Sequence, residues 1–192
     1  MRIILWSGGL DSTFLLHQEA MLNVNYTVIA LTIVNDNASG DSQQKCEARA
    51  RKELKKHLPK NIRYETIEIK HSLQNWTWQM PLWLSYSMPV IFEGDTLMMA
   101  YLSSDGADFW AKRKELEEAF KATIKIFGHD AEIKFPLEYK TKGDIIKGLK
   151  KLKLLKYCWT CGDPKKGKAC GKCMKCISLK RWTEYPDKGT MT

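Results

Sequence analysis

Two stretches of this 192-residue sequence carry side chains spaced for chemistry. The first is Ser7-Gly8-Gly9-Leu10-Asp11-Ser12-Thr13. Paired glycines let the main chain approach an anion with no Cβ in the way. Bare N–H groups at the start of a helix form a cradle for a phosphate. Ser12 or Thr13 is expected to cap the helix that follows and to add a hydroxyl donor. Asp11 is an unexpected neighbour for a phosphate, and a Mg²⁺ ion between them would reverse the repulsion. A Walker A loop is excluded because no Gly-Lys-Ser/Thr follows at the required spacing. The dinucleotide fingerprint is excluded because its third glycine is missing.

The second stretch places Cys158, Cys161, Cys170, Cys173 and Cys176 in one short segment. Cysteines two residues apart bend around a tetrahedral zinc ion, and Gly162 and Gly171 relieve the turns. Zinc takes four ligands, so one cysteine is spare. Spacing alone prefers Cys158 and Cys161 with Cys170 and Cys173; a cysteine-ligated iron–sulfur cluster is the alternative. Four sulfur ligands leave no open position, so the metal is expected to be structural. Cys46 sits in a helical pattern and is assigned to packing. His17, His57, His71 and His129 show no paired arrangement and are read as structural or solvated.

These residues need a scaffold. Ile3 to Trp6 form an apolar run, as in a strand buried on both faces of a parallel sheet. Phe14, Leu15, Leu16, Ala20 and Leu22 then recur at roughly helical spacing. Residues 26–34 read as a second strand, 35–43 as a polar loop, 45–58 as a helix ended by Pro59, and 62–70 as a third strand. Strands alternating with helices imply right-handed crossovers and a parallel sheet. Phosphate sites in such sheets lie at the carboxyl ends of the strands, where Ser7 falls.

The pattern breaks over residues 71–89, where Trp76, Trp78, Met80, Trp83, Tyr86 and Met88 crowd without a clean period. They suit an aromatic wall, a lid or a subunit interface, and equally an irregular buried connection. Residues 93–102 read as a helix with apolar Leu97, Met98 and Tyr101, and 103–108 as a polar loop crossing the nucleotide site. Residues 109–122 form an amphipathic helical pattern, 124–127 and 133–135 short strands, and 140–155 a lysine-studded helix broken at Gly148. Residues 187–192 are expected to be a loose tail.

Hydrophobic residues make up 44% of the chain, enough for a core, so intrinsic disorder is not the default expectation. There is no apolar run of membrane-spanning length and no basic-then-apolar leader, so no membrane partner and a cytoplasmic location are expected. Clustered cysteines in such a protein indicate metal binding rather than disulfides. The net charge of +9 suits an anionic partner such as ATP or nucleic acid.

Ser7 to Ser12 resembles the pyrophosphate loop of the N-type ATP pyrophosphatases, a group that includes asparagine, GMP and NAD synthetases and several tRNA-modifying enzymes. The resemblance implies that the loop holds the β,γ-phosphates of ATP while the α-phosphate is attacked. Further along, Trp159-x-Cys161, then Cys170, Cys173 and Cys176, resembles the 7-cyano-7-deazaguanine synthase (QueC) family. Pro136-Leu137 followed by Thr141-Lys142-Gly143-Asp144-Ile145 is similar to a stretch just upstream in that family.

This resemblance implies an α/β fold with a Rossmann-like (HUP-type) parallel sheet and helices on both faces, over residues 1–156, with a small zinc-binding segment and tail at 157–192. It makes Cys161, Cys170, Cys173 and Cys176 the zinc ligands and Cys158 the spare. It assigns ATP binding to Trp6, Ser7, Gly8, Gly9, Leu10, Asp11, Ser12 and Thr13, running on into Phe14, Leu15 and Leu16. Asp11, Ser12 and Lys142 become the candidate catalytic residues, Lys142 as a second cation for the phosphates. Trp6 and residues 31–33 would flank the adenine.

The implied reaction converts 7-carboxy-7-deazaguanine and ammonia to 7-cyano-7-deazaguanine with ATP and Mg²⁺, in a homodimer. The middle of the chain departs from the family. Val34-Asn35-Asp36-Asn37 replaces a tyrosine-glycine-glutamine segment, and Met88-Pro89-Val90 and residues 103–109 stand where an arginine-asparagine pair and a tyrosine-proline-aspartate stretch are usual. Two rivals follow. One is another adenylating enzyme of this loop class, modifying a nucleobase or tRNA and using the lysine-rich last third to hold RNA. The other is a nucleic-acid-binding zinc module with a relic loop, which the intact loop disfavours.

Overall fold

The computed structural model describes residues 1–22, 26–35, 41–69, 79–105 and 110–184. A five-stranded, all-parallel sheet runs in the order β3-β2-β1-β4-β5. The strands are β1 (Arg2–Leu5), β2 (Val28–Asn35), β3 (Ile62–Ile69), β4 (Thr96–Met98) and β5 (Glu132–Lys134). The helices are α1 (Leu10–Met21), α2 (Asp41–Leu54), α3 (Gln79–Ser87), α4 (Arg113–Ile126), α5 (Lys142–Lys151) and α6 (Met174–Glu184). The Rossmann-like arrangement expected from the alternation of strands and helices is the one observed.

β1 is central because its residues are apolar on both faces. Ile3 lies opposite Ile29 and Leu97, and Ile4 opposite Ala30 and Met98. Successive strand residues point to opposite sides. Ile4 therefore joins a core with Leu15, Leu16, Leu54, Ile145 and Leu149, while Ile3 joins one with Leu84, Met88, Phe120 and Ile124. The first core packs α1, α2 and α5 on one face; the second packs α3 and α4 on the other.

Two local devices fix α5. Thr141 Oγ1 accepts the Asp144 N–H at 3.1 Å while Asp144 Oδ2 accepts the Thr141 N–H at 2.8 Å, a closed capping box. Lys142 is thereby held at the first position of the helix. Gly148 does not break the helix, as its residue type suggested. A Cβ built there would lie 2.3 Å from Phe14 Cε2, so the glycine lets α5 close onto α1.

Several elements differ from expectation. Residues 93–102 are not a helix: they contain β4, hydrogen-bonded between β1 and β5. A strand buried on both faces is a continuous apolar run, and periodicity cannot separate it from a short buried helix. Residues 124–127 are not a strand but the end of α4 and its cap, with Phe120 and Ile124 buried one turn apart and Ile126 and Phe127 exposed. Residues 79–87, read as irregular, form α3. Within the expected 35–43 loop, Asn35 ends β2 and α2 begins at Asp41. Trp76, Trp78 and residues 187–192 lie outside the described residues. Among the described residues, no helix is long and apolar enough to cross a membrane.

Candidate active site and metal centre

The loop after β1 is tied to its neighbours at both ends. Trp6 N–H donates to the Leu31 carbonyl at 2.8 Å, and Thr32 Oγ1 donates to the Trp6 carbonyl at 3.0 Å. Gly9 is the N-cap of α1, and no side chain caps it. The expectation that Ser12 or Thr13 caps the helix is therefore corrected. Both hydroxyls are used inside the loop instead: Ser12 Oγ accepts the Ser7 N–H at 3.3 Å and lies 3.2 Å from Ser7 Oγ, and Thr13 Oγ1 accepts from Trp6 Nε1 at 3.1 Å. Gly8 has φ +84°, in the left-handed region, and a Cβ there would meet Arg51 Cγ at 2.8 Å. Glycine is required at that position twice over.

Lys142 reaches the loop from α5. Its Nζ donates to both carboxylate oxygens of Asp11, at 2.8 and 2.6 Å. The negative charge that seemed misplaced beside an anion is thus neutralised by the chain itself.

Loop, sheet and C-terminal segment surround a cavity of about 890 Å³, the size of a small-molecule site. Trp6, Ser7, Gly9, Leu10, Asp11, Ser12 and Lys142 line its centre. Leu31, Ile33, Val34, Glu47 and Arg51 line the β2 side, and Trp83, Met99, Tyr101 and Asp105 are also in the wall. Trp159, Thr160, Met174, Lys175, Ser178 and Leu179 bring in the C-terminal segment. Five residues of the expected nucleotide-binding run, Gly8, Thr13, Phe14, Leu15 and Leu16, are not among those that line the cavity. Thr13, Leu15 and Leu16 are fully buried, Phe14 packs on Gly148, and none of the four lines the cavity. Phe14, Leu15 and Leu16 belong to the core that packs α1 against the sheet and α5.

Arg51, Tyr101 and Asp105 were not singled out from the sequence as site residues. Arg51 lies four residues after Glu47 in a charged helix, the pattern of a solvated surface pair; instead its guanidinium donates to the Ser7 carbonyl at 3.0 Å. Burial pulls its pKa down from the ordinary arginine value, against the pull of Glu47. Asp105, from the polar loop expected near the site, accepts the Leu102 N–H at 2.7 Å. Although the residue is exposed overall, its carboxyl loses hydration in the cavity wall. That loss raises its pKa, with the Leu102 N–H and Lys142 acting against it. Burial, reinforced by Asp105, pushes the Tyr101 phenol up to about 12, so it stays a donor.

The cysteine segment is joined directly to the loop: Trp159 N–H donates to the Gly8 carbonyl at 3.0 Å, and Trp159 Nε1 donates to the Cys161 carbonyl at 2.9 Å. The sulfurs of Cys161, Cys170, Cys173 and Cys176 all lie within 4.8 Å of one another. Cys161 is 3.6 Å from Cys170 and 3.9 Å from Cys173. Zinc–sulfur bonds of about 2.3 Å place tetrahedral ligands about 3.8 Å apart, so the donor set fits one such ion.

Backbone N–H groups already point at these sulfurs, from Cys170 to Cys161 and from Cys173 to Cys170, each at 3.3 Å. The amides of Gly162 and Cys176 bring the Cys173 thiol down to about 6. Cys158 stands apart, its thiol directed at the Leu154 carbonyl at 3.6 Å and pushed up to about 12 by burial. The pairing of Cys158 with Cys161 that spacing preferred is therefore corrected. Cys158 follows a 3₁₀ turn (Leu155–Tyr157) that packs on the core, while the knuckle begins only after Trp159.

A sequence model described as "Queuosine biosynthesis protein QueC" matches residues 82–185, more than half of the chain. The chain belongs to the QueC family. Asp105, Lys142, Trp159 and the four clustered cysteines fall inside that match, and the loop after β1 precedes it. The 7-cyano-7-deazaguanine synthase of Picrophilus torridus is 41% identical over 76 residues, which are 38% of this chain and 31% of that protein. The matched stretch thus spans less than a third of the relative's length. Among solved structures, the U34-tRNA thiolase NcsA of Methanococcus maripaludis, determined with its [4Fe-4S] cluster, superposes with a TM-score of 0.55 at 14% identity. The superposition covers 96% of this chain and 67% of that one. At that identity the likeness is one of fold.

Proposed function

We propose that the chain uses ATP to activate the carboxylate of 7-carboxy-7-deazaguanine and, with ammonia, converts it to 7-cyano-7-deazaguanine. The observation that carries this reading is the glycine loop at the end of the central strand, with Lys142 on Asp11, opening into a cavity with aromatic walls in a chain of the QueC family. A carboxylate oxygen is a poor leaving group. Its attack on the α-phosphorus of ATP expels pyrophosphate and gives an acyl adenylate. Ammonia adds at the acyl carbon, loses a proton and displaces AMP, leaving the amide. The amide oxygen attacks a second ATP, again expelling pyrophosphate; loss of AMP and the remaining N–H protons gives the nitrile.

For this chemistry the chain mainly positions and neutralises. N–H groups of the Ser7–Ser12 loop receive the β,γ-phosphates, with the Ser7 and Ser12 hydroxyls bracing it. Lys142 cancels the Asp11 charge, and a Mg²⁺ ion arriving with the nucleotide would compete with Lys142 for the Asp11 carboxylate. Adenine lies against Trp6 and the apolar end of β2. Trp83, Tyr101 and Asp105 offer a planar base two aromatic surfaces and an acceptor for its ring N–H groups. Cys161, Cys170, Cys173 and Cys176 hold zinc, which supplies no reactive position and fixes the segment carrying Trp159. Residues 157–192 act as that zinc-bound appendage to a nucleotide-binding unit of residues 1–156, in a cytoplasmic homodimer.

Purified protein incubated with ATP, Mg²⁺, ammonium and the acid is expected to release AMP and pyrophosphate and to give a product with the mass of the nitrile or amide. Unchanged acid overturns the reading. A second reading, adenylation of a base within tRNA, is favoured by the exposed lysines Lys165, Lys172 and Lys180 of the cysteine segment and α6. The same assay with tRNA in place of the free acid separates the two.

A further inference from the structure

Three cationic side chains line the cavity among the described residues: Arg51, Lys142 and Lys175. Lys142 is taken by Asp11, and Lys175 is exposed on α6. Arg51 is different. Its side chain is only 13% exposed, and the carboxylate that pairs with it among the described residues, Glu47, is 4.0 Å away. Glu47 is itself engaged, accepting from Gln43 Nε2 at 2.8 Å. The Ser7 carbonyl and the distant Glu47 both use the same terminal nitrogen of Arg51. A guanidinium has five donors, and a mostly buried one with a single short bond to a neutral carbonyl is incompletely matched. An oxyanion that offers two oxygens to its planar fork, a phosphate or a carboxylate, is the group that completes it.

Its location selects which oxyanion. The Arg51 stem lies over Gly8, the second residue of the loop, and Arg51 is carried by α2, the helix that connects β2 to β3, lining the cavity with Leu31, Ile33 and Val34 of β2. Lys142 meets the loop further on, at Asp11. On the reading that adenine lies against Trp6 and β2, the phosphate nearest the nucleoside passes beneath Arg51, while the terminal phosphates lie deeper in the loop. We infer that Arg51 binds the α-phosphate of the nucleotide, the group at which the acid attacks. It is a substrate-binding residue supplied by α2 that faces the charge developing on that phosphorus.

Affinities of wild type, Arg51→Gln and Arg51→Lys for adenosine, AMP and magnesium pyrophosphate test this by titration calorimetry. Arg51→Gln is expected to weaken AMP about tenfold to a hundredfold, the worth of a charge-assisted hydrogen bond. Adenosine and pyrophosphate are expected to bind as in wild type, and Arg51→Lys to recover part of the AMP affinity. AMP binding equal to wild type in Arg51→Gln overturns the inference. So does a parallel fall in adenosine affinity, which marks Arg51 as a prop for the loop. So does weakened affinity for pyrophosphate alone, or for 7-carboxy-7-deazaguanine alone, which moves Arg51 to the terminal phosphates or to the acid. Wild-type protein that binds no nucleotide overturns the proposed function and this inference together.

Discussion

Lys142 Nζ holds both carboxylate oxygens of Asp11, at 2.8 and 2.6 Å, joining the first turn of α1 to the first turn of α5. Both side chains are largely buried, so the pair is less screened than a surface ion pair. On the proposed placement of ATP, replacing Lys142 by Met leaves the Asp11 charge uncompensated beside the phosphates, whereas Asp11→Asn removes the charge with it. Lys142→Met is therefore expected to cost about 2–4 kcal/mol in ATP binding, and the double variant less than the sum of the two single changes. Equal, additive losses measured by calorimetry would show the pair to be incidental.

Gly148 gives a prediction that runs against helix propensity. In an exposed helix, Gly→Ala stabilises by about 1 kcal/mol. Here the new methyl meets the Phe14 ring at 2.3 Å, and α1 and α5 have to part or the ring has to move. Gly148→Ala is expected to destabilise by about 1–3 kcal/mol in denaturant unfolding, as overpacking does. Adding Phe14→Leu is expected to return part of the loss, because it removes the atoms that collide.

How much of this was legible in the sequence depended on whether the deciding contact was local. The β1 strand, the loop and the β2 and β3 strands carry their own periodicity and turn residues, and they form where expected. β4 was misread because Leu97 and Met98 are buried by partners on both sides, which erases the alternation that marks a strand. Gly148 reads as a helix breaker until its tertiary neighbour Phe14 is known. Arg51 is visible only in three dimensions, since its place at the cavity rests on a contact with Ser7, 44 residues away. The cysteine set shows the same limit: Cys158 has the right spacing, but its backbone is already committed to the 3₁₀ turn beside the core.

That assignment of sulfurs predicts unequal effects of single cysteine changes. Cys158→Ser leaves all four clustered sulfurs in place, so bound metal is expected to stay at one ion per chain. Cys161→Ser breaks the set at its most buried member and is expected to lose the metal and loosen Trp159 from the loop. Metal analysis by mass spectrometry and thermal unfolding with and without a chelator check both. Loss of the metal from Cys158→Ser would restore the pairing that spacing preferred.

Asp105 predicts a pH dependence with a definite sign. Its carboxyl has a higher pKa in the fold than in the unfolded chain, chiefly because it loses hydration. The folded protein therefore binds that proton more tightly than the unfolded chain does. The resulting stabilisation is complete below the ordinary aspartate value of about 4 and is lost as the pH rises through the raised value. Asp105→Asn carries no titrating group, so the stability of wild type relative to this variant is expected to fall as the pH is raised from about 3 to 7. Urea unfolding of both proteins across that range measures the difference. A difference that stays level, or that grows with pH, would mean that Asp105 is kept charged by Lys142 rather than pushed toward its neutral form.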